Sequence, residues 1–430
     1  MVNLKLRSKK IIVILIIFIL SNLILWSVLA ADNYKNMGVF EGVNRRENNN
    51  TFIASNTVPQ LLLHLSRVSQ QNPVEEDSPH HRVIEVDTAG NIVWEKEGFA
   101  HPHDIVEMEN DNLMIADTGF DRVCEIEYES KEITWEWKPE DIDWEQINND
   151  TWDSAHYFNN PIEYDWTHLN DVNFKDYDGG NWTAMLVSIR NFDLIVEVNY
   201  TSAKNRDKAS AEDIVWYFGD YLDKTKLNHQ HNPHYLENGN ILVADSENHR
   251  IIEVDRESKE IVWEYNKGLT WARDADELDN GNILITDIHR VFEIDKDTKE
   301  IEWEYSGDLM FAYEADRLEN ENTLIGGGLG GVVYEVDKDG NVVWSYGVSY
   351  ILSVSSLNLL LLMTTHLFSI GLILKPFITG TKEEKKKMSK KKRRALLILS
   401  GLIFVELIIL FNIPDIAAFI STLIKDLGSY

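Results

Sequence analysis

Residues 229–265 read HQHNPHYLENGNILVADSENHRIIEVDRESKEIVWEY. A histidine cluster leads into an Asn-Gly-Asn turn and a short apolar run ending in Asp245. An acidic-apolar run, a polar turn and a tryptophan strand follow. The second half recurs as EVDTAGNIVWEKEG at Trp94, EIEYESKEITWEW at Trp135, EVNYTSAKNRDKASAEDIVWYFG at Trp216, EIDKDTKEIEWEY at Trp303 and EVDKDGNVVWSYG at Trp344. The first half recurs as ENDNLMIAD, DNGNILITD and ENENTLIGG, each a turn before a buried strand. The tryptophans are 41, 81, 47, 40 and 41 residues apart, and the interval of 81 holds a single such ending, so it is one unit enlarged by insertions. A period of ~40 residues built from short strands is the signature of a β-propeller. Six endings predict six blades. A linear solenoid is the alternative. The first ending (Val83 to Trp94) lacks a clear first half, which suits a ring closed by both chain ends, and TFIASNTVPQLLLHLS (51–66) is expected to complete that first blade.

The flanks are of another kind. IIVILIIFILSNLILWSVLA (11–30), residues 350–374 and residues 395–413 are each apolar enough to span a bilayer, which takes ~20 residues. The first follows Lys5, Arg7, Lys9 and Lys10; a very basic loop, KPFITGTKEEKKKMSKKKRR, separates the other two. Cytoplasmic segments carry the Lys and Arg excess, so the N-terminus and this loop belong inside. The expected organisation is a cytoplasmic tip and signal anchor (1–31), an extracellular six-bladed propeller (32–348), a transmembrane helix (349–374), a basic cytoplasmic loop (375–394), and a last helix with a short tail (395–430). Val28-Leu29-Ala30 also resembles a signal-peptidase site, so a cleaved leader stays open. The basic loop is pinned to the membrane at both ends, which makes anionic lipid its partner rather than nucleic acid. Sequons at Asn49, Asn149, Asn181 and Asn199 all lie on the side assigned to the exterior, as expected of a glycoprotein.

Formal net charge is −30, but only 4 of 41 basic residues precede residue 32 and 11 follow residue 348, while 5 of 71 acidic residues lie outside residues 32–348. The central domain therefore carries a net charge near −40. Such a surface excludes nucleic acid as a partner, and an anionic ligand needs a local positive pocket. Cys124 is the only cysteine, so no intrachain disulfide forms.

Aligning the units on the aspartate that closes each apolar run places Asp117, Asp245 and Asp287 in register. Fourteen residues earlier stand His103 and His231; sixteen earlier stand His101 and His229; five later stand Arg122 and Arg250. Alternate residues of a strand share a face, and the inner strands of a propeller line its channel, so histidines of several blades are expected to converge there. The third blade offers His168 in DWTHLNDV and Arg190 in VSIRN. Arginine forks match sulfate or phosphate oxygens, and neutral imidazole serves as nucleophile, acid or base. Plainer readings stand beside this. Arg82, Arg122, Arg250 and Arg290 each stand three residues before the glutamate of an EVD-type motif, and for Arg82, Arg122 and Arg290 a scaffold role, as of recurring residues in repeats, is the plainer reading. His81, His249 and His289 suit turns. The His-x-His pairs could hold Zn²⁺, though no neighbouring Cys or carboxylate spacing strengthens that, and no cofactor is expected. The insertion 138–164 is either a cover over one mouth or a decorative glycosylated loop.

DWTHLNDV with SIRN, then Gln230-His231-Asn232 before GNILVAD and a distal arginine, resembles the microbial arylsulfotransferases over about residues 80–347. The DW-x-H-x-N and QH elements are the specific parts. The resemblance implies a six-bladed extracytoplasmic propeller moving sulfuryl groups from an aryl sulfate to a phenol through a sulfohistidine. It implies that His168, His231 and Arg250 bind and polarise the sulfate oxygens, with Arg190, His103, His229 and Asn232 as substrate-binding neighbours. The family places its nucleophilic histidine in a later blade. There this chain shows Arg273 and Tyr313, and His289, the only histidine between Arg250 and His366, is the remaining candidate. Two other functions stay open: a non-catalytic membrane-anchored propeller binding a ligand, glycan or protein, and a metal-dependent hydrolase or lyase.

Overall fold

The computed structural model describes residues 39–56, 81–147, 165–177, 179–307, 309, 311–328 and 331–347. These residues form six four-stranded antiparallel sheets, each built from consecutive strands. The chain is an all-β, six-bladed propeller, one compact unit across Asn36–Val348. The innermost strands are β1 (Val39–Arg45), β2 (Pro102–Glu107), β3 (Leu169–Tyr177), β4 (His231–Tyr235), β5 (Ala272–Glu277) and β6 (Glu314–Arg317), each touching the next around the axis. Among the described residues no helix is long and apolar enough to cross a membrane. The three apolar stretches, the basic loop, residues 57–66 and Asn149 lie outside the described residues.

The recurring residues hold blade to blade. Each repeat tryptophan except Trp135 donates its indole N–H to a turn carbonyl of the following blade. The pairs are Trp94 to Tyr128 (2.8 Å), Trp216 to Arg256 (2.8 Å), Trp263 to Lys296 (3.0 Å) and Trp303 to Lys338 (3.1 Å). Trp344 reaches Thr88 at 3.1 Å, joining the last blade to the first. Trp135, which closes the second blade, instead packs edge-on against Tyr200 of the enlarged third blade, ring centroids 5.2 Å apart. The glutamates of the EVD-type motifs are buried acceptors: Asn240 donates to Glu253 at 2.7 Å, and Lys296 of the next blade pairs with it at 2.8 Å. The same arrangement joins Asn112, Glu125 and Lys204, and Asn282, Glu293 and Arg317.

Ring closure differs from the expectation. No blade mixes the two chain ends. Thr51–Asn56 belongs to the first blade as expected, as its second strand, and the innermost strand β1 lies upstream of that stretch. Phe40 and Gly328 exchange backbone hydrogen bonds and Arg45 pairs with Glu335 at 2.8 Å, so non-covalent contacts between complete blades close the ring. The turn that follows β1, Glu47-Asn48-Asn49-Asn50 before TFIAS, is the counterpart of ENEN before TLIGG in the last blade.

Candidate functional site

The site is built where the inner strands begin. Buried aspartates hold these starts. Asp117 accepts the amides of Ala100 (2.9 Å) and His101 (3.1 Å); Asp287 accepts those of Thr270 (3.0 Å) and Trp271 (2.6 Å). Asp121 and Asp193, left-handed residues ending one-turn 3-10 helices, reach into the next blade. Asp121 accepts Trp166 (2.9 Å) and Thr167 (2.7 Å), and Asp193 accepts His229 (2.7 Å). Asp165, His168, His229 and Asn232 all have positive φ, between 38° and 55°. Non-glycine residues rarely adopt this conformation, and it persists only where the surroundings enforce it.

Five of the six inner strands then bulge against their neighbours, while Glu314–Arg317 pairs in unbroken register. Pro102 pairs with Asp117 but Asp104 with Ala116, which leaves His103 as the extra residue. Arg273 is the extra residue between Ala272 and Asp274, and Asn170 between Leu169 and Asp171. A bulge breaks the two-residue alternation and re-aims side chains. Consecutive pairs line one cavity: His103 with Asp104, Asn170 with Asp171 and His231 with Asn232 at bulges, and Tyr313 with Glu314, together with Glu41 and Arg273. Its volume is about 20 Å³, room for roughly a single water.

Four imidazoles meet here. The His103 ring lies 5.7 Å from that of His101, 6.1 Å from His168, 6.1 Å from His231 and 5.5 Å from Tyr313, centroid to centroid. His101 Nε2 contacts Glu41 Oε2 at 2.6 Å. Burial raises the Glu41 carboxyl, but His101 and His103 outweigh it and hold it at about 2. Burial lowers His101 while Glu41 more than compensates, so its pKa rises and the two form an ion pair. Burial, reinforced by neighbouring cations, pushes His103 down to about 3, and burial pushes His168 down to about 4 despite Asp165, whose Oδ1 lies 2.7 Å from His168 Nδ1. His231 is driven well below its ordinary value by burial and Arg273. Its Nε2 accepts from Arg273 Nη1, which leaves Nδ1–H to donate to Ser246 Oγ at 2.9 Å. The Arg273 guanidinium lies 3.5 Å over the Trp271 ring and 4.9 Å from that of Tyr313. Arg190 sits at the same mouth; burial lowers its pKa and Asp165 opposes this. At neutral pH the site thus presents neutral His103, His168 and His231 beside two guanidiniums.

A carboxylate tier lies beneath. Asp104 is pushed up to about 6 and Asp276 to about 7 by burial, and Asp171, Asp274, Glu314 and Asp316 rise further through burial and one another. Three of them also staple blades, accepting the amides of Val172 (Asp104, 2.9 Å), Ala315 (Asp274, 2.8 Å) and Val43 (Glu314, 2.7 Å). Among the described residues no group of three or more His, Cys, Asp or Glu is arranged to hold a metal ion.

Of the residues singled out in the sequence, His103, His168 and His231 meet in the cluster, Asn232 lines its cavity, and Arg190 and half-buried His229 stand beside it. Arg250 does not reach it. It spans Asp245 (2.7 Å), Glu264 (3.0 Å) and the Thr225 carbonyl (2.6 Å), as Arg122 spans Asp117, Glu136 and the Gly98 carbonyl. His289 also stands apart, an exposed turn residue against Phe311. His81 is buried, with Nδ1 2.8 Å from Asn56 Oδ1, not at a surface turn. Asn49 and Asn181 are accessible; the Asn199 side chain accepts the Ser202 amide at 2.9 Å. In the insertion, Trp144 packs edge-on against Phe192 at 5.4 Å in the third blade, and residues 148–164 lie outside the described residues. Glu41 carries no signal in the sequence, and His101, Arg273 and Tyr313, which the sequence places at inner-strand starts, have no site role assigned there. Arg273 stands fourteen residues before Asp287, the position His103 and His231 hold in their own blades. That register was the available signal.

Residues 24–221 match the arylsulfotransferase (ASST) family. That span contains the DW-x-H element and the cluster members Glu41, His101, His103, His168 and Arg190. His231, Arg273 and Tyr313 fall in a second match, over residues 208–357, to the family described as outer membrane protein assembly factor BamB. No curated protein matches the chain. Among solved structures, a protein of unknown function from Bacteroides caccae aligns at 14% identity over 62% of this chain and 90% of its own, with a TM-score of 0.44. Virginiamycin B lyase from Staphylococcus aureus aligns at 9% identity over 73% of this chain and 85% of its own, also at 0.44. The arylsulfotransferase match is thus carried by the first half of the ring, while the site draws on both halves.

Proposed function

We propose that this chain transfers the sulfuryl group of an aryl sulfate to a phenolic acceptor at the histidine cluster of its channel. The observation that carries this reading is electrostatic. Three neutral imidazoles, a buried guanidinium and a half-buried one share one mouth of a domain whose net charge is near −40. Such a pocket concentrates a small oxyanion, and guanidinium forks match its oxygens. Neutral imidazole can attack sulfur or move the phenol proton. The arylsulfotransferase match over residues 24–221 supports the aryl sulfate and phenol as partners. The propeller works outside the membrane, anchored as a multi-pass protein by the three apolar stretches, with lipid around them. No metal or other cofactor is required by this chemistry.

The test is turnover by the full chain. An aryl sulfate with a chromogenic leaving group is mixed with a second phenol, and the sulfated acceptor is measured. His168→Ala and His231→Ala should each remove most turnover in a folded protein. No transfer across several donors by folded wild-type protein would overturn this reading in favour of a binding propeller. Protease protection on intact cells tests the topology: a propeller shielded from external protease would refute it.

A further inference from the structure

We infer that Asp165 is a positioning residue for the transfer: it holds His168 so that Nε2 meets the acceptor phenol with a lone pair and takes its proton. This rests on the transfer reading above. Asp165 Oδ1 lies 2.7 Å from His168 Nδ1. A carboxylate oxygen accepts, so Nδ1 carries the hydrogen and the lone pair stays on Nε2. Among the described residues, Nδ1 is the one ring nitrogen of His168 with a hydrogen-bond partner, and the ring meets those of His101 and His103 at 6.3 Å and 6.1 Å between centroids. Strained backbone holds the pair. Asp165 and His168 have φ of 55° and 47°, and such residues persist only where the surroundings enforce them, typically at functional sites. Here Asp121 accepts the Trp166 amide (2.9 Å) and both the amide (2.7 Å) and hydroxyl (2.6 Å) of Thr167. Asn191 Nδ2 donates to the carbonyls of Asp165 (3.3 Å) and Trp166 (3.2 Å), and the Trp166 ring is buried edge-on against Phe192, 5.0 Å between centroids. Asp-Trp-Thr-His thus forms a turn whose first and last side chains meet.

The two imidazole–carboxylate pairs of the cluster behave differently. Glu41 prevails over burial at His101, which is charged; at His168 burial, with Arg190 and His101, outweighs Asp165, and the ring is neutral. A neutral ring accepts a proton, and Asp165 then stabilises the imidazolium it becomes. The step balances. The acceptor O–H proton passes to Nε2, and the oxygen keeps the electron pair with which it bonds sulfur. The proton next goes to the aryl oxygen released from the donor, which carries the pair of the broken S–O bond, and His168 ends neutral as it began. Without the carboxylate, Nδ1 and Nε2 can exchange roles and the imidazolium loses its counter-ion.

The full chain is assayed for kcat/KM toward two acceptors, with 4-nitrophenyl sulfate as donor. At about pH 9, 4-cyanophenol is ionised, while 4-methylphenol, near the tyrosine value of about 10, mostly keeps its proton. Asp165→Asn, which suits the left-handed backbone, should lower kcat/KM for 4-methylphenol by about a hundredfold, the low end for a positioned proton carrier, and for 4-cyanophenol by about threefold or less. Equal losses with the two acceptors would show Asp165 to be merely structural and overturn the inference. In His168→Gln, the added Asp165→Asn should change the remaining 4-methylphenol rate by about threefold or less; a further loss of about a hundredfold would place its action elsewhere and overturn the inference too. If Asp165→Asn does not fold, Asp165→Gly replaces it in the same comparison. Wild-type transfer to both phenols, with Asp165→Asn within about threefold of it, removes this inference alone. No transfer by folded wild-type protein removes the transfer reading as well.

Discussion

Replacing Arg273 by Lys separates a substrate-binding guanidinium from a scaffold one. Arg273 is only 6% exposed, stacks on Trp271 at 3.5 Å, and donates to His231. Its Nε has no partner although it is buried. Arg250, by contrast, has all its nitrogens on an aspartate, a glutamate and backbone carbonyls. Lysine keeps the charge but loses the planar fork, hence one of two parallel bonds to a sulfuryl group. A hydrogen bond to a charged partner is worth about 1.5–3 kcal/mol, which is roughly a 10- to 150-fold fall in kcat/KM. Loss of stacking on Trp271 adds a stability cost of about 1–2 kcal/mol. The assay is kcat/KM for phenol release beside thermal denaturation. A variant with lowered Tm but kcat/KM within threefold of wild type would show that Arg273 braces the channel and binds no substrate, refuting the argument.

Three further outcomes are expected. Arg250→Ala leaves Asp245 buried without its cation and should cost about 2–4 kcal/mol by denaturant titration, with kcat of the folded fraction little changed. At Gly42 an added Cβ would sit 2.8 Å from the His103 carbonyl and 2.9 Å from Asp104 Cα, so Gly42→Ala should cost about 2–3 kcal/mol and displace His103, read as lost stability with lost activity. The folded pKa of Asp276 is raised to about 7, so its stability contribution is present in acid and is lost as pH rises from the ordinary carboxylate range through 7. Asp276→Asn should therefore stabilise the protein at pH 8 and hardly at pH 4. Its side chain is 18% exposed, so the gain is about 1–2 kcal/mol rather than the full burial cost, and equal gains at both pH values would contradict this origin.

Much of this was legible in the repeat. Tryptophan spacing alone determined six blades, because each blade buries the same side chains and ends in an indole that reaches the next. The alignment on Asp117, Asp245 and Asp287 also brought His103 and His231 to one level, because those aspartates tie down the starts of the inner strands. Glu41 escaped notice because Ser55 stands where other blades have the marker aspartate, and Arg250 passed for a ligand because its position recurs beside histidines. What the sequence by itself determined was the number of blades and which residues start each inner strand. Only the tertiary structure decided which of those residues meet. A one-residue bulge turns His103 and Arg273 toward the axis, and packing of the first blade against the second sets Glu41 against His101, sixty residues away. A bulge leaves no mark in side-chain periodicity, and blade-to-blade packing joins residues that no local pattern relates.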